Sequence, residues 1–119
     1  MDTRRHSLGE AAVYELLAAP EAVTQPADLL ETALLPELAD AAGFILAREA
    51  LHPSFFDLRS GVAGELLQKC ATYRIRLALV GDFSDLSSEP FRALMRESLR
   101  GRQVGFVDSV ESALAWLRT

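Results

Sequence analysis

Cysteine and histidine are scarce in this sequence, and their scarcity excludes two kinds of protein. Cys70 is the single cysteine, so no disulfide can form within the chain. The two histidines, His6 and His52, stand far apart in the sequence. One thiol and two separated imidazoles supply too few ligands for a structural zinc site. We therefore predict no disulfide scaffold, no metal site and no cofactor.

Long apolar runs and an excess of positive charge are also missing. No run approaches the roughly 20 apolar residues that span a bilayer, and the opening MDTRRHSLGEAAV lacks the apolar core of a signal peptide. The formal net charge is -5 and the pI is about 5.0, whereas nonspecific nucleic-acid binding depends on neutralising phosphates. We therefore expect a cytoplasmic protein that binds neither membranes nor nucleic acid.

Residues for a hydrophobic core are, by contrast, plentiful. Hydrophobic residues make up 50% of the 119, and the mean hydropathy is +0.13. A chain of this length and composition is expected to form one compact domain. We therefore predict a single domain over residues 1–119, without a linker or an internal repeat.

The beginning of the chain is typical of a β-hairpin. Residues 3–7 are predicted to form an edge strand, and residues 8–10 a turn in which Gly9 can adopt a positive φ. Residues 11–17 would then return as the second strand. The alanine-rich AAVYELLAA is equally compatible with a helix, so both structures remain open for this segment.

Helices and strands alternate in the rest of the chain. Pro26 suits the first turn of a helix, which Pro36 is expected to kink or end. Short apolar runs predict strands at residues 43–48, 75–80 and 103–107.

Three more helices complete the alternation. Apolar residues recur at helical spacing in residues 62–73 and 89–100. Gly101 is expected to end the second of these helices in the left-handed conformation. Asp108, with Glu111 three residues later, is expected to cap the last helix.

This order of elements predicts an α/β fold. Right-handed crossovers between successive strands favour a single layer of mixed, mostly parallel β-sheet, with the N-terminal hairpin at its side and helices packed against it. The pattern leaves the order of the strands open.

A binding site is expected at one edge of this sheet. In open α/β sheets, ligands and partners gather outside the carboxyl ends of the strands, and the N–H groups of helix N-termini point to the same edge. Residues 49–60 and 81–88 form the two loops that leave such ends. The predicted partner- or ligand-binding residues are Asp57, Arg59, Ser60, Gly61, Asp82, Phe83, Ser84 and Arg100.

Ser60 has two interpretations. Its oxygen could simply bond a free N–H of the following helix, as serine does at helix N-termini. It could also be a phosphorylation site, where a phosphate would add about -1.5 to -2 charges at pH 7. The residues alone favour the first interpretation.

No residue is predicted to be catalytic, although the sequence leaves enzymatic activity open. Cys70 falls on the apolar stripe of its helix, where a core thiol is expected. Ser60 and His52 lack the G-x-S-x-G elbow of a hydrolase. Gly61 and Gly64 give only G-x-x-G, which matches neither a phosphate-binding loop nor a dinucleotide fingerprint.

Two resemblances extend this interpretation. The run FFDLRSGVAGELLQKCATYRIRLALVGDFS, followed by ESLRGRQVGFV, strongly resembles the uncharacterised bacterial domain-of-unknown-function family numbered 4180, which implies no particular activity. The layout, a hairpin followed by alternating helices and strands, is also similar to STAS domains, the anti-sigma-factor antagonist fold. In those proteins an Asp-Ser-Ser-Gly corner precedes a helix, and a partner kinase phosphorylates its second serine.

The STAS resemblance points to Ser60 as the switch position. Ser60 and Gly61 match the Ser-Gly pair of the STAS corner, whereas Asp57 stands one residue too far upstream and Arg59 replaces the first serine. The first hypothesis is therefore a noncatalytic, STAS-like regulatory module. It would bind a regulator or kinase through residues 52–61 and 82–88 and the face of helix 62–73.

Two further hypotheses remain. One is a small-molecule or phosphate-ligand site at the same edge, with weak enzymatic activity, in which Arg59, Ser60, Asp82 and Arg100 contact the ligand. The other is self-association. A deep pocket at the strand ends would favour the ligand, and a flat edge with an apolar rim would favour a protein partner. The expected rim residues are Phe55, Phe56 and Phe83.

Overall fold

Five strands form one sheet, and their order across the sheet is their order along the chain. The computed structural model describes residues 1–119. Its strands are β1 (Asp2–Leu8), β2 (Ala11–Leu17), β3 (Ala41–Ala47), β4 (Leu77–Val80) and β5 (Val104–Val107). Its helices are α1 (Ala27–Ala33), α2 (Val62–Thr72), α3 (Glu89–Gly101) and α4 (Val110–Leu117).

Strand pairing confirms the predicted α/β fold with a mixed, mostly parallel sheet. β1 pairs with β2 in an antiparallel hairpin, and β2, β3, β4 and β5 pair in parallel. Gly9 lies in the hairpin turn with a φ of 66°, a conformation that glycine adopts without steric cost. The alanine-rich segment is therefore a strand. Its alternate residues Ala12, Tyr14 and Leu16 are buried in the larger core.

The sequential strand order places the helices unequally on the two faces. Right-handed crossovers between neighbouring strands carry every connecting helix to the same side of the sheet. Accordingly, α1, α2 and α3 contribute to one core cluster of 21 buried residues. α4 follows the last strand and packs on β3, β4 and β5 from the other face, where the core cluster has 5 buried residues. None of the helices is long and apolar enough to cross a membrane.

Pro36 ends the first helix as predicted, but the helix stops three residues before the proline. α1 stops at Ala33, and Pro36 begins a separate 3₁₀ turn, Pro36–Leu38. A proline disfavours helical backbone at the residue before it, and Leu35 is accordingly extended with a ψ of 139°.

Two predicted helix boundaries are wrong by one residue. Gly101 is the last helical residue of α3, and Arg102 adopts the left-handed conformation with a φ of 64°. Ser109, not Asp108, is the N-cap of α4, because its side chain accepts a hydrogen bond from the Ser112 N–H at 3.0 Å. Asp108 instead accepts a hydrogen bond from the Ser112 hydroxyl at 2.9 Å.

Arg76 connects α4 to the sheet by hydrogen bonds. Arg76, just before β4, donates hydrogen bonds to the carbonyls of Arg102, Trp116 and Leu117. Its guanidinium lies 4.6 Å from the centroid of the Trp116 ring, and burial lowers the pKa of Arg76. The same indole also packs on Gly105, where the absence of a side chain makes room for it.

A methyl group at Gly105 should therefore destabilise the protein. A Cβ at this position would lie 2.9–3.0 Å from the Trp116 ring, and such overpacking costs about 1–3 kcal/mol. Gly105→Ala should lower the unfolding free energy by that amount in denaturant titrations followed by the fluorescence of Trp116, the only tryptophan. Gly64→Ala is the matched control. Its methyl meets no atom within 4 Å, and it should stabilise α2 by about 0.5–1 kcal/mol.

Candidate functional site

The two predicted loops lie next to each other at one edge of the sheet. β3 and β4 are parallel neighbours, and they end in register at Ala47 and Val80. The chain that follows β3 makes three 3₁₀ turns before α2 begins: Arg48–Ala50, Pro53–Phe56 and Leu58–Ser60. We call the surface formed by residues 48–61 and 81–88 the loop edge.

The Asp57 corner is held by short-range hydrogen bonds. Asp57 Oδ1 accepts the backbone N–H of Arg59 at 3.1 Å and the Arg59 Nε–H at 3.2 Å. These bonds lower the pKa of the Asp57 carboxyl. The Arg59 side chain is nevertheless 92% exposed, so this ion pair stands on the surface of the loop edge.

Ser60 lies at the start of α2, as the capping interpretation predicts. Its hydroxyl donates to the Ser54 carbonyl at 2.6 Å and accepts the Val62 N–H at 3.2 Å. Gly61 follows with a φ of 79° and is formally the N-cap residue. Both Ser60 and Gly61 are exposed. The corner therefore satisfies a free helix N–H and remains accessible.

Asp82 and Ser84 belong to the other half of the loop edge. Asp82 Oδ1 accepts the Ser84 N–H at 2.9 Å, and this contact lowers the pKa of Asp82. Gly81 precedes them and packs closely against Arg48. A Cβ at position 81 would lie only 2.7 Å from the Arg48 Cβ.

Arg48 connects the two halves, and sequence analysis did not select it. Its guanidinium donates to the Asp82 carbonyl and to both carboxylate oxygens of Asp85, at 2.5 and 2.9 Å. It also lies 4.8 Å from the Phe56 ring centroid and 5.3 Å from that of Phe83. Only 21% of the side chain is exposed. The available signal was a cation directly after the apolar run of β3, at the carboxyl edge of the sheet.

Five of the six phenylalanines pack together beneath this arginine. Phe55 is only 1% exposed, so its expected place on an apolar rim is wrong. Phe55 packs edge-on against Phe91 at 5.9 Å instead. Phe56 and Phe83 are partly exposed, with ring centroids 6.4 Å apart. They link the two halves of the loop edge below Arg48.

Arg100 does not lie at the loop edge. α3 is a crossover helix, so it begins at the carboxyl edge of the sheet, where Ser88 accepts the Phe91 N–H, and it runs to the opposite edge. At about 1.5 Å per residue, Arg100 lies about 18 Å from Ser88 along the helix axis. The sequence grouped Arg100 with the site by its charge, but the direction of α3 separates them.

The loop edge contains open depressions and no closed cavity. One depression of about 410 Å³ lies beside Arg48, Pro53 and Phe56. The other, of about 450 Å³, lies between Phe56 and Arg59. The chemistry of the surrounding residues is limited. No group of three or more His, Cys, Asp or Glu side chains is placed to hold a metal ion.

Cys70 lies in the core, away from this edge. Burial raises the pKa of its thiol to about 12. The reactive thiolate is therefore absent at neutral pH, and the core interpretation of Cys70 agrees with this environment.

Residues 9–117 match one protein-family model, described as a domain of unknown function, DUF4180. The chain belongs to this family. The DUF4180 match includes β2 to β5, all four helices and the whole loop edge. It confirms the family resemblance that the sequence carried. No curated protein and no solved structure matches the chain, so the likeness to STAS domains stays a prediction.

Removing Arg48 should loosen the loop edge. Arg48→Ala removes the donor to the Asp82 carbonyl and the guanidinium that lies over Phe56 and Phe83, and it should lower the unfolding free energy by about 1 kcal/mol. Hydrogen exchange should accelerate most at residues 81–88. Arg96→Ala is the matched control, because the Arg96–Glu89 pair is exposed on α3, and it should change both quantities little. Equal effects of the two substitutions would contradict the connecting role of Arg48.

The same ion pair should make stability depend on acid pH. Arg48 donates to the ionised Asp85 carboxylate and lowers its pKa below the ordinary 3.8. The stabilisation is therefore complete above the unfolded pKa and disappears as pH falls through the lower folded value. Unfolding free energies of the wild type and Asp85→Asn should differ at neutral pH and converge in acid. In an Arg48→Met background, Asp85→Asn should change the unfolding free energy by the same amount at neutral and at acid pH. If the change were also independent of pH with Arg48 present, the assignment would be refuted.

Proposed function

We propose that this domain is a noncatalytic, STAS-like regulatory module of the bacterial cytoplasm that binds a protein partner through the loop edge. The observation that carries the proposal is the Arg48 connection between the two loops. A surface whose loops are already fixed loses little conformational entropy when a partner binds. Arg48 thus offers a physical reason for residues that are far apart in the sequence to act as one surface.

The chemistry of the loop edge suits a protein partner better than a small ligand. Small-molecule sites enclose most of their ligand, whereas the depressions here are open. The cations needed for a phosphate are already committed, Arg48 to Asp85 and Arg59 to Asp57. The exposed Asp57–Arg59 ion pair and the partly exposed Phe56 and Phe83 provide the mixture of charge and aromatic surface that protein interfaces use. We therefore give the ligand hypothesis less weight.

Ser60 is the residue at which we propose that the module is switched. Its hydroxyl is exposed at the beginning of α2 and close in sequence to Arg59. A phosphate there would replace the donor to the Ser54 carbonyl and add about -1.5 to -2 charges. Phosphorylation would therefore change both the shape and the charge of the loop edge without altering the core.

Site-specific photo-cross-linking in the host tests the binding surface. A benzophenone amino acid at Arg59 or Ser84 should form an adduct with the same partner, because both positions lie on the loop edge. Ala115, exposed on α4 at the opposite face, is the matched control and should form none. Absence of adducts at both test positions, or an equal yield at Ala115, would overturn the proposal.

The switch is tested by the same adduct together with phosphosite mapping. After incubation with host lysate and ATP, mass spectrometry should find phosphate on Ser60, and Ser60→Ala should remove it. Ser60→Asp should change the yield of the partner adduct at Ser84 at least about threefold, whereas Ser7→Asp on β1 should not. Phosphate on other residues with Ser60 unmodified would refute the switch. The binding surface would still be decided by the cross-linking experiment.

A further inference from the structure

Positive charge collects at the edge of the sheet opposite to the loop edge. α2, α3 and α4 all end at this edge, and β4 and β5 begin there. Five arginines lie at or next to these ends, and none of them forms an ion pair within the chain. We call this set the arginine edge: Arg74, Arg76, Arg100, Arg102 and Arg118.

Arg76 connects the ends of α3 and α4 at the arginine edge. Its Nε–H donates to the Arg102 carbonyl at 2.7 Å, and its Nη1–H donates to the Leu117 carbonyl at 3.0 Å, one residue before Arg118. Burial, and after it the like charge of Arg102, lowers the pKa of Arg76. The two arginines are therefore close enough for their charges to interact.

Gln103 adds the end of α2 to the same edge. Its side-chain amide donates to the Ile75 carbonyl at 2.5 Å and to the Cys70 carbonyl at 3.3 Å. Arg74 immediately precedes Ile75. The exposed members of the arginine edge are Arg74, Arg100, Arg102 and Arg118. Only Arg76 spends its side-chain donors on carbonyls of the chain, so four guanidinium groups face solvent.

Acidic side chains are missing from the segments that form the arginine edge. No Asp or Glu occurs in residues 66–81, 98–107 or 112–119. Before β3, on the same side of the sheet, Asp40 is paired with Arg5, and Glu37 pairs with none of the five arginines. The formal net charge of -5 includes these five cations, so the rest of the chain carries -10. A local concentration of positive charge therefore stands on an acidic protein.

Two of these arginines adopt backbone conformations that favour glycine. Arg74 has a φ of 55° and Arg102 a φ of 64°, in the left-handed region where a side chain is strained. The helix dipole favours cations in the last turn of a helix, but it gives no reason for a strained residue just beyond that turn. Strain held at an exposed position points to a function of the side chain.

We propose that the arginine edge binds an acidic peptide segment of a protein partner. The planar guanidinium group matches a carboxylate with two parallel hydrogen bonds. None of the depressions in the surface is lined by Arg100, Arg102 or Arg118. An open site of this kind suits an extended chain with several carboxylates better than a small anion, which requires enclosure.

The charge of the whole molecule favours a short acidic segment over a nucleic acid or an anionic membrane. Exposed charges are screened beyond about 8 Å at physiological ionic strength, so a short segment is attracted mainly by the arginines that it touches. A larger polyanion would also meet the acidic remainder of the surface. The arginine edge is therefore assigned to a peptide.

Fluorescence anisotropy with a fluorescein-labelled peptide of eight glutamates tests this site. The wild-type protein should bind the peptide saturably at about 50 mM salt. The affinity should fall at least about fivefold at about 500 mM salt, because salt screens exposed ion pairs. A peptide of eight glutamines should not bind.

Two glycine substitutions separate binding from stability. Arg74→Gly with Arg102→Gly removes two guanidinium groups and relieves two strained positions. The variant should be at least as stable as the wild type in denaturant titrations, and its affinity for the glutamate peptide should be at least about threefold lower. Arg4→Ala with Arg92→Ala is the matched control. It removes the same charge from exposed positions on β1 and early in α3, and it should leave the affinity unchanged.

Three outcomes would overturn this assignment. The first is the absence of saturable binding of the glutamate peptide by the wild type. The second is an equal loss of affinity in the two double variants, which would show that net charge and not the arginine edge attracts the peptide. The third is tighter binding of an oligonucleotide of eight thymidines that the glycine variant also loses, which would assign the edge to nucleic acid. None of these depends on the proposed role of the loop edge.

Discussion

The guanidinium of Arg48 is the interaction on which the form of the carboxyl edge depends. Removing a charge from water is costly unless hydrogen bonds and opposite charge replace the solvent. Here a carboxylate, a carbonyl and two aromatic rings surround a cation that is only 21% exposed. These partners come from both loops. Neither loop can therefore move away without exposing the phenylalanine cluster and leaving Asp85 unpaired.

The sequential strand order determines which ends of the helices lie at that edge. Because α1, α2 and α3 are all crossovers on one face, each begins at the carboxyl edge and ends at the opposite one. Helix beginnings, with their free N–H groups, therefore collect at the loop edge. Helix ends collect at the other edge, and this is why Arg100 and Tyr73 are far from Ser60. One topological rule thus separates the loop edge from the C-terminal ends of these helices.

Local sequence predicted the elements well and the side-chain contacts poorly. The three apolar strands and the Ser60 corner follow from turn chemistry and periodicity, which act over a few residues. Periodicity alone left residues 11–17 open between a strand and a helix. Arg48 and Phe55 were misjudged for the same physical reason. Their distant partners, Asp82 and Asp85 for Arg48 and Phe91 for Phe55, lie more than thirty residues later in the chain. No local pattern encodes which loop will cover which. Arg100 shows a related failure, since charge was considered without the direction of α3.

The length of α2 keeps the loop edge separate from the opposite edge of the sheet. α2 has 11 residues and is about 16 Å long, so Tyr73 at its C-terminal end stands about three helical turns from Ser60. A partner that contacts only the loop edge would therefore leave the C-terminal ends of the helices uncovered. Because the depressions at the loop edge are open, the complementarity of a protein contact, and not the enclosure of a ligand, would supply the affinity.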